Sequence, residues 1–451
     1  MSRSPFLRLV RCCMLTAGVP VLTSCAGPTE TPVSPNFARA AAGPAVTSAD
    51  PSYGYQGDVL KTVTVTGSGF VNGAQASWER GGGADPKLQV STQFVSSTQL
   101  VATITIAPDA AIDFYDVSVT NPDRKKGIGY SLFQVTQATV VPETTVLRNA
   151  NSSGELVGML AGSSGSQNVA LYYSLGTGLV TLSTGAAAWA IDEAGKTISG
   201  NTNGGSSLPI RLWSLSGGSW LGGALPVDPT AAGGNGRGIA SDPVTGTAAY
   251  IAGIESFVGK KGGGRRPRVW RLGIAGWERV LLPSVGTDGS DVVEEISQDG
   301  VAVGTSAGHA VVWTPDGAGG YTVAALPGVA NSANGINSAG DIIVGAQNGG
   351  LSYYWTLQGV VWSAARSLPI SCKSAVDVDD AGRIVANDCV KSSTQTLPAV
   401  FLPPYTGTPI WLGGLEKNSP PHVEAMSLAN GWIAGQVTYK GATSGAYWKI
   451  D

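Results

Sequence analysis

Histidine is almost missing from this sequence: there are two in 451 residues, His309 and His422. Without a second imidazole at ligand spacing, a histidine-built metal centre is excluded. No nucleophile elbow or phosphate-cradling loop is present either. Both histidines are assigned structural or solvated roles. Charge is scarce too. Charged side chains are 13% of the chain, against ~25% in an average domain, and 28 basic residues face 31 acidic ones. That balance excludes a general nucleic-acid binder and a charge-extended disordered chain. The apolar stretch from Cys12 to Val21 is too short to remain as a transmembrane span. Glycine, in contrast, is abundant, at 63 residues or about twice its usual ~7% share. The glycines punctuate short apolar runs, as turns between many strands require, so the fold class is all-β, with length for two or three domains.

Arg3, Arg8 and Arg11 precede the apolar stretch and small residues follow it, the three parts of a secretory signal over residues 1–24. The ending Leu22-Thr23-Ser24-Cys25 resembles the lipobox of bacterial lipoproteins. The resemblance implies cleavage before Cys25, lipidation of that cysteine and, because Ala26 rather than Asp follows, attachment to the outer membrane. Each buried methylene of the lipid would contribute ~0.8 kcal/mol. Residues 25–50, rich in Pro, Thr, Ser and Ala without a period, are expected to form a flexible tether.

Residues 51–137 alternate apolar and polar positions over Thr62 to Thr66, Leu100 to Ile106 and Tyr115 to Val119, the pattern of a small β-sandwich. Val65 to Phe70 (VTGSGF), Leu100 to Ile104 (LVATI) and Tyr115 to Pro122 (YDVSVTNP) resemble the IPT/TIG immunoglobulin-like domain. In that family the domain is a spacer or interaction module of extracellular proteins. Arg124, Lys125 and Lys126 fall at the tip of its last hairpin, as solvated turn residues or as a contact for acidic lipid or glycan.

Residues 138–451 repeat a four-stranded unit. Turn glycines fall at Gly154, Gly195, Gly246, Gly300, Gly340, Gly382 and Gly431, and third-strand aromatics at Tyr173, Trp213, Trp270, Trp313, Trp355, Phe401 and Trp448. Both ladders predict a seven-bladed β-propeller. Gly308 to Trp313 (GHAVVW), with Gly-Ile-Asn and Ile-Val-Gly elsewhere, resembles the bacterial HAF repeat, which brings no known activity with it. The last unit lacks a fourth strand. Thr139-Val140-Val141-Pro142 is expected to supply it by pairing with the strand that ends at Trp448.

Cys372 and Cys389 fit one hairpin. If Val378 faces Arg383, the same register sets the two cysteines opposite each other, and a disulfide is expected. Metal binding by the pair is the lesser alternative. No catalytic residue, cofactor or metal is assigned. Asp288, Asp291, Glu294 and Glu295 could form an acid/base pair or cation site at the channel mouth, or a solvated linker, and Asp377, Asp379, Asp380 and Asp388 surround the cysteine hairpin.

Loop lengths point to one face of the ring. Connections from second to third strand and from unit to unit are long and polar, whereas the remaining turns are trimmed to glycine. The candidate binding face comprises Asn201, Asn203, Asn235, Arg237, Lys260, Lys261, Arg265, Arg266, Asn348, Lys391 and Lys440, with Arg268 in the same basic loop. The expected function is non-catalytic binding by a monomeric envelope lipoprotein to a glycan, lipopolysaccharide or envelope protein, with no nucleic-acid partner. The alternative is a glycosidase or lyase that uses carboxylates at the channel mouth.

Overall fold

The computed structural model describes residues 43–451 except 57, 108–109, 112, 137, 163–166, 203–209, 259–263, 288–290, 348–349, 393–394, 414–421, 440 and 451. Cys25, Asn203, Lys260, Lys261, Asp288, Asn348 and Lys440 therefore lie outside the described residues. Every regular element among the described residues is a β-strand.

Two sheets form the N-terminal sandwich. One orders Ala45–Asp50, Lys61–Ser68, Gln99–Ile106 and Leu88–Ser96; the other orders Tyr53–Tyr55, Lys126–Thr136, Asp113–Thr120, Gln75–Arg80 and Gly83–Ala84. Alternation buries Val63, Val65, Leu100, Ala102 and Ile104 from one sheet against Trp78, Tyr115, Val117 and Phe133 from the other. The tether expected up to residue 50 is shorter than that. Val46 and Ala49 belong to this core, and their burial draws Ala45–Asp50 into the sheet as an edge strand. Lys126 is not a free turn residue either, because its ammonium pairs with the buried Glu79 carboxylate at 2.7 Å.

From Thr139 onward the chain forms successive antiparallel sheets around a central channel, a β-propeller. Each sheet packs on the next, as where Val157, Ala170 and Tyr172 of one meet Ala186, Ile198 and Trp213 of the following one. The turn glycines of the repeat all take φ between 63° and 81° in the first hairpin of their sheets. The third-strand tryptophans are buried, and the indole N–H groups of Trp270, Trp313, Trp355 and Trp448 donate backwards to the end of the preceding sheet. Trp270 reaches the Pro226 carbonyl at 2.7 Å, Trp313 that of Pro283 at 2.6 Å and Trp355 that of Pro327 at 2.8 Å. Tyr173 departs from this pattern and is half-buried. The outer strand of the sheet that contains Trp355 is broken into Val361–Trp362 and Arg366–Ser367.

The ring closes as expected. Thr139 pairs with Tyr447 and Val140 with Ala446, while the Val141 N–H donates to the Gly445 carbonyl at 2.9 Å. Val141 is 1% exposed and packs with Leu147, Leu156, Ala434 and Tyr447. A carboxylate there has no partner, so Val141→Asp is expected to lower unfolding free energy by on the order of 3 kcal/mol. An unchanged urea midpoint would mean that this strand does not seal the ring.

The Cys372–Cys389 disulfide is formed. Its register is reached by a different route from the expected one: Val378 faces Ile384, not Arg383, and a one-residue bulge beyond it restores the Ala375–Ala386 and Ser374–Asn387 pairs.

Candidate functional site

That bulge is general. The inner strand of each sheet skips one residue in its pairing with the second strand, at Arg148, Trp189, Arg237, Glu294, Asn334, Val376 and Met426. A bulged residue is freed from the alternation and its side chain is re-aimed. Here all of these residues line one chamber of the channel, of about 300 Å³, on the long-loop face. The signal is present in the sequence as a spacing of three between inward-packed residues, such as Leu147 and Ala150, Ala188 and Ile191, or Ala375 and Val378. A strict period of two reads past it.

The chamber has a cationic side. The Arg148 guanidinium lies 3.9 Å from the centre of the Trp189 ring, and Arg237 approaches the same ring at 5.5 Å. The Trp189 indole N–H donates to the Asn201 side-chain oxygen at 2.8 Å, which fixes the ring. Arg237 forms an ion pair with Glu294. Burial first, and then the charge of Arg237, pull the Arg148 pKa down.

The opposite side is acidic. Glu295 and Asp377 follow the bulges of their strands and line both this chamber and a second one of about 420 Å³ that opens among the short turns on the other face. They form the waist of the channel. Glycine next door makes the room: a Cβ on Gly335 would stand 2.9 Å from Asp377 Oδ1, and one on Gly238 would collide with Glu295 Oε1. Asp377 accepts backbone N–H bonds from Leu428 at 2.8 Å and Val378 at 2.7 Å, so it also clasps two sheets together. Glu295 accepts from Ile296 at 3.2 Å. Burial pushes the Asp377 carboxyl up to about 7, and burial together with the Asp377 charge raises Glu295 well above the usual carboxylate range.

Of the expected binding-face residues, the structure brings Arg237 into the chamber and sets Asn201 behind Trp189. The others described do not converge. Arg265 and Arg266 are exposed on a long hairpin, with Arg266 over the Phe257 ring at 4.2 Å, while Lys391 stands 6.0 Å from the Trp411 ring. Asn235 leaves its side-chain oxygen buried without a partner among the described residues. Arg268 is not a loop cation: it is buried and paired with Glu255 at 2.7 Å. In the first acidic group, Glu294 and Glu295 face the channel whereas Asp291 is buried against the Ser284 hydroxyl at 3.0 Å. In the second, Asp377 enters the channel. Asp379 and Asp380 line the larger chamber among the short turns, where Asp379 receives the Ala381 and Arg383 N–H groups as a turn residue, and Asp388 pairs with Lys373 at the surface.

No family model matches the chain, and no curated protein matches it. Solved structures similar to it include the β-propeller domain of the Trilobed protease from Pyrococcus furiosus, at 7% identity and TM-score 0.32 over 91% of this chain and 94% of that one. A gluconolactonase from Xanthomonas campestris aligns at 10% identity and TM-score 0.34, over 69% of this chain and 89% of that one. A prolyl endopeptidase aligns at 11% identity and TM-score 0.42, over 68% of this chain and 50% of its own length. These similarities concern overall architecture and bear on no residue of the channel.

Proposed function

We propose that this chain is a bacterial outer-membrane lipoprotein, anchored through lipidated Cys25, that carries an IPT/TIG-like sandwich and a seven-bladed, HAF-like propeller. It acts as a monomer, and it binds a glycan, lipopolysaccharide or envelope protein at the long-loop mouth of the channel. The observation that carries the binding site is the recurrent bulge: the same departure from regular pairing in each inner strand delivers Arg148, Trp189, Arg237, Glu294 and Asn334 to one chamber. Rigid strands hold those side chains, as a binding site requires. The sandwich reading is supported by its two-sheet core, and the blade count by the sheets running from Val146–Ala150 to Ala442–Lys449 with Thr139–Val140 as the closing strand. The purified full chain on a glycan array, with lipopolysaccharide included, tests the function. Retention of defined structures supports it, and a blank array together with no envelope protein captured would reject it.

Anchoring has its own test. The Cys25→Ser variant is expected to leave the membrane fraction or to remain unprocessed. If it fractionates like the parent, lipidation is not the anchor.

A second reading is favoured by the channel waist, where two carboxyl groups with raised pKa face each other's chamber in a walled space. Two carboxyl groups held above the usual range, Glu295 and Asp377, have the composition of an acid/base pair for a glycosidase or lyase. Release of reducing ends from an acidic polysaccharide, abolished in Glu295→Gln, is the expected result on that reading.

A further inference from the structure

Arg148 is the least compensated charge in the channel. Among the described residues no carboxylate forms an ion pair with it, and its Nε is buried without a hydrogen-bond partner. Its charged neighbours are accounted for. Arg237 repels it and is engaged by Glu294, while Glu424, the nearer acid on the adjoining sheet, is bonded to the Gln436 amide at 2.6 Å and stands 3.5 Å from His422. Contact with the Trp189 face returns part of what partial desolvation costs, but a half-buried cation left without an anion in a chamber is a feature of sites that receive one. Arg237, although paired with Glu294, likewise keeps its Nε buried without a hydrogen-bond partner among the described residues. Across the same chamber the polarity reverses, because Glu295 and Asp377 present acceptor oxygens.

We propose that the smaller chamber takes a monosaccharide-sized ligand through a carboxylate set against Arg148, with the ligand's hydrogen-bond donors turned to Glu295 and Asp377. The inference rests on the channel mouth being the binding site and adds the chemical class of what enters it. A guanidinium offers a carboxylate two parallel N–H donors, and this one is already held flat by the indole beneath it. Neutral sugars would leave Arg148 as it stands. A ligand with a second anionic group would meet Glu295 and Asp377 and be repelled. The donors on the acidic side could be sugar hydroxyls or an ammonium, so a uronic acid and an amino acid share the recognised chemistry.

The full chain, titrated by calorimetry with sodium glucuronate, glucose and alanine, tests this. Glucuronate is expected to bind and glucose not, the two differing at the carboxylate. Binding of alanine as well would support the carboxylate contact and identify an ammonium as the group read by the acids. Arg148→Met is expected to weaken glucuronate at least about tenfold, a change of ~1.4 kcal/mol, without lowering the melting temperature of the unliganded protein. Arg148→Lys, which keeps the charge but loses the fork, should fall between. Equal response to glucuronate and glucose, no response to any of the three, or an Arg148→Met protein that binds glucuronate like the parent would each overturn the inference. So would an Arg148→Met protein that melts lower while binding is unchanged, since that is the mark of a purely structural arginine. A parent chain that binds elsewhere on the glycan array but ignores glucuronate rejects this inference and leaves the broader function intact.

Discussion

Glu255→Ala is expected to lower the unfolding free energy by about 3–5 kcal/mol, the largest effect of any single substitution in the ring. Glu255 is fully buried in the strand Ala248–Phe257 and sits at the centre of a charge network. Arg268 reaches it at 2.7 Å and Arg279 at 3.0 Å, and the Asp228 N–H donates to it at 2.7 Å. Arg279 also pairs with Asp228 at 3.3 Å, so one carboxylate fixes both the sheet and the connection leading into it. Arg268 is itself buried, and desolvation already pulls its pKa down. Removal of its partner leaves the guanidinium inside the protein with the Pro267 carbonyl at 3.1 Å but without its carboxylate. The cost comes from that orphaned charge more than from the lost attraction, so a second substitution should repair much of it. Glu255→Ala combined with Arg268→Met is expected to be more stable than Glu255→Ala alone, and chemical denaturation of both variants would measure the coupling. A Glu255→Ala protein within ~1 kcal/mol of the parent would mean that water compensates Arg268 and that the network contributes little.

The second large effect has the opposite sign. Glu295→Gln is expected to stabilise the protein at pH 8 by about 1–2 kcal/mol, with the gain shrinking as pH falls and gone below about pH 4. The sign follows from the raised carboxyl pKa values at the waist. A group whose folded pKa lies above its unfolded value binds more protons when folded, so its contribution is full below the unfolded pKa of ~4.3 and is lost as pH rises through the folded value. Asp377, pushed up to about 7, loses its own contribution between roughly pH 4 and pH 7. Glutamine removes one of the two charges and the repulsion it meets, while keeping an acceptor for the Ile296 N–H. Melting temperatures of parent and variant from pH 4 to pH 8 provide the check. A constant difference across that range would show that the two carboxyl groups do not titrate there. Stability gained at the expense of polysaccharide cleavage would support the enzymatic reading, since active sites hold carboxyl groups in this condition.

Much of the ring could be read from the chain because its signals are local. A turn that needs positive φ demands glycine, and that demand repeats at Gly154, Gly195 and their counterparts. The tryptophan ladder and the Leu-Pro endings are visible separately in the sequence. Their connection is not, and it explains both: Trp313 and Trp355 bond to the carbonyls of Pro283 and Pro327, each at the close of the preceding sheet. The channel was less legible. Glu295 and Asp377 lie on different sheets, and what brings them to one waist is ring geometry together with the bare flank of Gly335 between them. The inner-strand bulges hid the rest, because they shift which residue of a strand points inward. The cysteine hairpin shows the same mechanism on a small scale. A turn one residue longer than expected is offset by a bulge at Val376, and Cys372 still meets Cys389. The edge strand at Ala45–Asp50 was concealed differently, by a composition of small and polar residues in which Val46 and Ala49 alone mark the buried side.

The closing strand also decides the order in which the ring is completed. Thr139 and Val140 stand about 300 residues ahead of their partners Tyr447 and Ala446, so the edge of the ring stays open until the last sheet forms. Each intermediate sheet can fold on the one before it, but the two ends of the ring can meet only by closing a loop of that length. Such a contact is entropically expensive and slow to form. A chain without Ala442–Lys449 would carry two unpaired edges, on Thr139–Val140 and on the strand Trp432–Tyr439, and would be prone to pair with its own kind. One strand of eight residues therefore covers two edges at once, and the solubility of the whole ring depends on it.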